Sequence, residues 1–285
     1  MLSSSPQPVH VYSANTAPGS ILYSLRKACQ ELYLTRGVIW RFFIRDFSMQ
    51  FRQKLLGSLW AVLAPLLSIA SFIFLSAVGV LQPGAIGVPY PLFVFVGVGL
   101  WGLLLAVLQS ISGGLVQHGD LVMRTSIPRI TLAISGLATS IYGLLIHLLT
   151  LLVLLLFFQR MPSWGVVLYP VLILPLFALG TGAGLVLAVI GTLARDATNM
   201  VTTAMGFVMF LTPVIYYPSF KNRTLECIVW WNPLTYLIDV PRSVLFRGDF
   251  AHWQEFLWSS GLAFIVLLLG IHGFYLIQDK IVERI

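Results

Sequence analysis

Charge is scarce in this chain. Asp, Glu, Lys and Arg make up 9% of its 285 residues, against 58% hydrophobic residues. That balance excludes a soluble globular domain and predicts an all-α polytopic membrane protein with no room for a separate aqueous domain. Cysteine is nearly absent too. Cys29 and Cys227 fall in regions expected on opposite membrane faces and lack metal-ligand spacing, so a disulfide, a metal centre or redox chemistry is not expected. None of the four lysines stands in a GxxxxGK[ST] motif, which leaves the chain without a Walker-type nucleotide site. No expected span carries Asp or Glu near its centre, against a proton- or sodium-coupled carrier. HxxxH, GxSxG and DxD-type patterns are missing as well. His147 and His272 stand alone inside spans and read as helix-packing residues. The chain reads as a conduit, not an enzyme, with no cofactor bound to it.

Long apolar runs are what the chain has instead. Six spans are expected at about 58–80, 92–111, 130–158, 165–193, 199–216 and 255–277. Gly113-Gly114 is expected to break the second. The third is nearly thirty residues long, roughly 43 Å, and must tilt or project. Pro170 and Pro175 are expected to kink the fourth, whose glycines allow close packing. Residues 1–20 read as a disordered cytoplasmic tail, 21–57 as a cytoplasmic and interfacial amphipathic region, and 278–285 as a cytoplasmic tail. Residues 219–254 read as short helices half-buried at an interface.

The formal charge of +7 belongs to the membrane surface and not to nucleic acid, because seven of the seventeen basic residues precede Gly57. Counted by side, twelve Lys and Arg fall in the expected cytoplasmic segments and five outside, placing both termini in the cytoplasm. The stretch Trp40 to Pro65 concentrates this pattern. Ile39, Trp40, Phe42, Phe43, Ile44, Phe47 and Phe51 share a broad helical side, with Arg41, Arg45, Ser48 and Arg52 on the other. Such a helix lies in the headgroup layer. It serves either as an anchor that fixes topology or as a collector of a lipid-linked phosphate.

A conduit without ion coupling needs energy from a partner. The polar interlude LVQHGDLVMRTSIPR at 115–129 is too short and polar to span. It is either an ordinary loop or a short cytoplasmic helix that docks on an ATPase.

GSLWAVLAPL at 57–66, QHGDLVMRTSIPR, LARDATNM at 193–200, LTPVIYY at 211–217 and WNPLTYLIDVPRSVLFRG at 231–248 follow the basic helix in order. Together, over about residues 35–280, they resemble the membrane subunit of type-2 ABC exporters, and within these the polysaccharide exporters of the Wzm, KpsM and TarG kind. The resemblance implies six spans, a homodimer and two copies of a separate ATPase chain that binds ATP and Mg. It also implies export of undecaprenyl diphosphate-linked polysaccharide, O-antigen-like, across the bacterial inner membrane. The alternative is an ABC exporter of a small hydrophobic compound or a lipid.

By position, the resemblance makes Arg41, Arg45, Arg52 and Lys54 a gate for the substrate diphosphate. Asp120, Leu121, Val122, Arg124 and Pro128 become the coupling helix to the ATPase. Tyr216 to Tyr236 would form re-entrant external gate helices, with Trp230, Trp231, Pro233 and Tyr236 as gate residues and the tryptophans as interfacial anchors. Sugars stack their C–H faces on aromatic rings, so Phe72, Phe74, Tyr90, Phe93, Phe95, Tyr142, Phe207, Phe210, Tyr216 and Tyr217 are the channel candidates. Aromatics at span ends also serve as interfacial belts.

Overall fold

A computed structural model describes residues 20–51, 59–79, 87–117, 127–194, 196–218 and 222–281. These residues form helices joined by turns. Helix α1 (Ile21–Leu34) starts where the Ser20 hydroxyl accepts the Tyr23 N–H, and α2 (Arg36–Phe51) follows after Thr35 alone. Next come α3 (Leu59–Ala77), α4 (Tyr90–Gln117), α5 (Arg129–Ser135) and α6 (Leu137–Phe157). A 3-10 turn at Trp164–Val167 and the short α7 (Tyr169–Leu172) lead into α8 (Leu174–Leu193). The chain continues with α9 (Ala197–Leu211), α10 (Arg223–Trp231), α11 (Pro233–Arg247) and α12 (Trp253–Ile281).

Among the described residues, four stretches are long and apolar enough to cross a membrane: Tyr90–Leu115, Arg129–Phe157, Tyr169–Gly191 and Trp253–Gln278. At 1.5 Å per residue each exceeds the ~30 Å hydrocarbon core. The apolar helix α9 is shorter, at 15 residues.

Helix α8 lies between α4 and α12 and packs on both more extensively than any other pair of helices does. Glycines set this arrangement. A Cβ at Gly180 would stand 2.9 Å from the Val107 side chain, and one at Gly184 2.9 Å from that of Ile111, so this i,i+4 pair fits α8 against α4. Gly182 faces the other way. A Cβ there would meet the Val266 carbonyl at 2.5 Å, and one on Gly270 would meet the Gly182 carbonyl at 2.4 Å. The backbones of α8 and α12 therefore touch. Lipid is as apolar as leucine, so close van der Waals contact of this kind is what holds spans together. Leu100, Leu104, Ile111, Leu185 and Ala188 are buried around the seam.

Several local expectations change. Helix α4 runs straight through Gly113-Gly114 instead of breaking there. Gly114 serves packing: a Cβ on it would reach the Leu132 carbonyl at 2.9 Å, so its absence admits α5. The third apolar stretch is divided at Gly136, which sits against the Ser110 backbone and whose carbonyl accepts the Thr139 hydroxyl. Pro170 and Pro175 each stand in the first turn of a new helix, where a missing N–H costs nothing. The fifth apolar helix ends at Leu211 and not at Tyr216. Pro213 cannot donate to a helical carbonyl, and the chain turns there.

The glycine seam predicts a contrast between two substitutions. Gly182→Ala should destabilise the protein by about 1–3 kcal/mol through overpacking against backbone that cannot yield. Gly102→Ala, with no heavy atom within 4 Å of the added Cβ, should be neutral or stabilising. Thermal unfolding of the two variants in detergent checks this; equal midpoints would contradict it.

Candidate functional site

Two clusters of polar side chains lie outside the apolar packing, at opposite ends of the long helices. The first gathers on the turn Thr212–Tyr216 that follows α9. Arg242 on α11 is only 2% exposed. Its Nη1 donates to the Val214 carbonyl at 3.1 Å, and its Nη2 to the Pro213 carbonyl at 3.0 Å and to Asp239 Oδ1 at 2.7 Å. The guanidinium lies 3.7 Å from the centroid of the Phe93 ring. A planar fork of five donors can serve two carbonyls and a carboxylate together. The Tyr90 hydroxyl donates to Ile215, and Asn232 Nδ2 donates to the Thr212 hydroxyl at 2.8 Å. Gly97 makes room, since a Cβ there would overlap the Val214 carbonyl.

Helices α10 and α11 are built around the same turn. Asn232 caps α11 by accepting the Leu234 N–H, with Pro233 next in the first turn. The Tyr236 hydroxyl donates to the Trp230 carbonyl at 2.7 Å, fixing the angle between the two helices. Trp231 points outward and is 88% exposed. Gly248, at φ +72°, ends α11 in the left-handed conformation.

The second cluster ties α1 and α5 to the end of α12. Ser24 and His272 are hydrogen-bonded at 3.0 Å, the Tyr275 hydroxyl donates to Glu31 at 2.6 Å, and Lys27 lies over the Tyr275 ring. Thr35 and Thr131 share a hydrogen bond of 2.8 Å, and Arg129 donates to the Gln278 carbonyl. The start of α5 is thereby fastened to both the α1–α2 junction and the last helix.

The residues named from the sequence distribute as follows. Arg41 is exposed on α2, and Arg45 pairs with Asp46 at 2.9 Å while its guanidinium covers Phe42. Arg52 and Lys54 lie outside the described residues, as do Asp120, Leu121, Val122 and Arg124. Pro128 is the N-cap of α5. Among the aromatics, Phe74, Phe207, Phe210 and Tyr217 are exposed, and Phe72, Tyr90, Tyr142 and Tyr216 are partly buried. Phe93 is buried beneath Arg242. Phe95 is buried against His147, the two rings stacked 4.6 Å apart at 5° over Gly99. Cys29 and Cys227 are free and exposed. Among the described residues no group of His, Cys, Asp and Glu could hold a metal ion.

Charge counting places Arg242 only among the five cations expected outside the membrane. The signal for its role was present: it occupies the same helical face as Ile238 and Leu245, both fully buried, with Asp239 three residues before it. An arginine on a core face with an acid one turn away is a buried pair waiting for acceptors.

Residues 37–246 match the family model described as "ABC-2 type transporter". The chain belongs to the ABC-2 type transporter family. It is the membrane, or permease, subunit, a multi-pass transport component without an ATPase domain, and ABC-2 permeases pair with ATPase subunits. Three relatives carry the name "O-antigen export system permease protein RfbA". The one from Myxococcus xanthus is 29% identical over 262 residues, covering 90% of this chain and 98% of that protein. Two from Klebsiella pneumoniae are 22% and 21% identical, covering 80% and 84% of this chain and 87% and 91% of theirs. The stretch WNPLTYLIDVPRSVLFRG supplies Asn232 and Arg242 to the clamp on LTPVIYY, with Asp239 holding the arginine.

Arg242→Met should therefore cost about 3 kcal/mol, because it strands Asp239 and two buried carbonyls. Arg223→Met, at the exposed start of α10, should change little. Thermal unfolding compares them; equal midpoints would show that the clamp does not stabilise the turn.

Proposed function

We propose that this ABC-2 permease exports undecaprenyl diphosphate-linked, O-antigen-like polysaccharide across the bacterial inner membrane. The similarity to O-antigen export permeases over almost the full length of the chain and its relatives carries this reading. The permease acts as a homodimer with two ATPase subunits, which bind the ATP and Mg. Each protomer has six spans, with α3 and α9 joining the four long apolar stretches, and both termini are cytoplasmic.

Several features support the division of labour. Trp40 and Ile44 are exposed on α2 near Arg41, a combination suited to the headgroup layer, where an arginine fork can meet diphosphate oxygens. In this reading Arg41, Arg45, Arg52 and Lys54 serve the lipid gate. Residues 115–129 dock on the ATPase, and the polar seam at Arg129 and Thr131 passes their motion to α1 and α12. Helices α10 and α11 form the external gate, with Trp231 anchored in the interface. The exposed aromatics Phe74, Phe207, Phe210 and Tyr217 and the partly buried Phe72, Tyr142 and Tyr216 offer weak, interchangeable stacking to a moving polymer.

Deleting the gene should abolish surface polysaccharide and cause undecaprenyl-linked chains to accumulate inside the cell. Unchanged surface polymer would overturn the reading and favour export of a small hydrophobic compound or lipid. Arg41→Ala combined with Arg45→Ala should lower surface polymer while the permease still copurifies with its ATPase. Full export by that double variant would remove the arginines from the gate and leave the cargo assignment intact.

A further inference from the structure

The hairpin that joins α6 to α7 carries apolar side chains where a turn in water would carry polar ones. Helix α6 stops in a Schellman arrangement, with Gln159 at φ +50°. The Gln159 N–H donates to the Leu156 carbonyl and the Arg160 N–H to that of Leu155. The chain then passes through Pro162 and Ser163 into the 3-10 turn Trp164–Val167. Met161 is 88% exposed, Val167 77% and Trp164 63%, with Val166 exposed beside them. We propose that this hairpin is a lipid-binding wedge, seated in the headgroup layer of the bilayer, that pegs the end of α11 at a fixed membrane depth. The proposal concerns lipid and not cargo, so it stands apart from the export reading.

The inner side of the hairpin is already committed to α11. The Ser163 N–H donates to the Leu245 carbonyl at 2.9 Å. A Cβ on Gly165 would overlap Val244, and one on Gly248 would overlap the Ser163 hydroxyl. Trp164 lies against Phe250, the ring centroids 5.7 Å apart. The outer side cannot turn inward without breaking these contacts, so its apolar surface needs cover from outside the chain.

Lipid is the cover that the geometry supplies. Ile141, Leu145, Leu149, Leu152 and Leu156 form an exposed stripe at helical spacing along α6. The hairpin continues this stripe, and Val171 and Leu174 carry it onto the next span. The stretch Arg129–Phe157 holds 29 residues, about 43 Å at helical rise, which matches a bilayer of ~40–45 Å with its headgroups. The hairpin therefore falls at headgroup level and not in open water. Trp164 and the exposed Arg160 are the residue types this level favours, an indole at the boundary and a cation reaching phosphate. Leu245 lies one turn beyond Arg242 on α11, so the wedge sets the depth of the helix that carries the clamp.

The test uses the full-length permease–ATPase complex in lipid nanodiscs, with Cys29→Ser and Cys227→Ser removing both native thiols. A small fluorophore is attached at Val167→Cys or, as the aqueous control, at Arg223→Cys on the exposed start of α10. Copurification of the ATPase reports that each variant is folded. Lipid bearing a nitroxide high on its acyl chain should quench the label at 167 more than that at 223, and aqueous iodide should show the reverse. Iodide quenching at 167 equal to that at 223 would overturn the wedge by placing the hairpin in water. Failure of both quenchers at 167 would also overturn it, by assigning this face to a protein contact. Met161→Cys, in the same hairpin, should repeat the pattern of 167; the control's pattern there would confine lipid to one residue and overturn the wedge.

Discussion

Backbone contact between Gly182 and Gly270 is the constraint on which the rest of the fold depends. With no side chain on either residue, α8 and α12 approach until carbonyl and Cα atoms meet, while Gly180 and Gly184 let α4 close on the opposite face of α8. In a membrane, water cannot drive helices together, so this fit supplies what hydrophobic burial supplies in a soluble protein. The result is a three-helix slab whose helices have little freedom to separate. Helices α3 and α9 pack on it less extensively and present exposed apolar and aromatic side chains, including Phe74, Phe207 and Phe210.

The two polar clusters are set at the ends of this slab. At one end, Arg242, Asn232 and Tyr90 secure the turn after α9 to α11 and α4. At the other, Thr131, Arg129, His272 and Tyr275 secure α1 and α5 to the end of α12. The start of α5 is thus tied to the α1–α2 junction and to the end of α12. Of the other buried polar groups, Ser140 and Thr235 also bond across elements, whereas Ser112, Ser135 and Thr150 bond back to carbonyls of their own helices.

Much of this was legible in the sequence. Apolar runs located the long helices, the clustered glycines of the fourth run signalled close packing, and the ordered motifs pointed to the family. The misreadings share a cause. Gly113-Gly114 was expected to break a helix because glycine is a poor helix former, yet α5 packing over Gly114 overrides that propensity. Tyr216 was placed in the fifth helix because apolarity continues past Pro213, although the missing N–H ends the helix first. Arg242 was missed because charge counting treats an arginine as a surface feature. Its burial depends on carbonyls of Pro213 and Val214, nearly thirty residues earlier, which no local pattern could pair with it.

The most direct measurement is transport by the permease reconstituted with its ATPase subunit in proteoliposomes, the ATPase facing outward. Polysaccharide linked to undecaprenyl diphosphate should enter the lumen when ATP is added and become protected from an external glycosidase. A polymer that stays exposed while the same vesicles move a small hydrophobic dye would contradict the account.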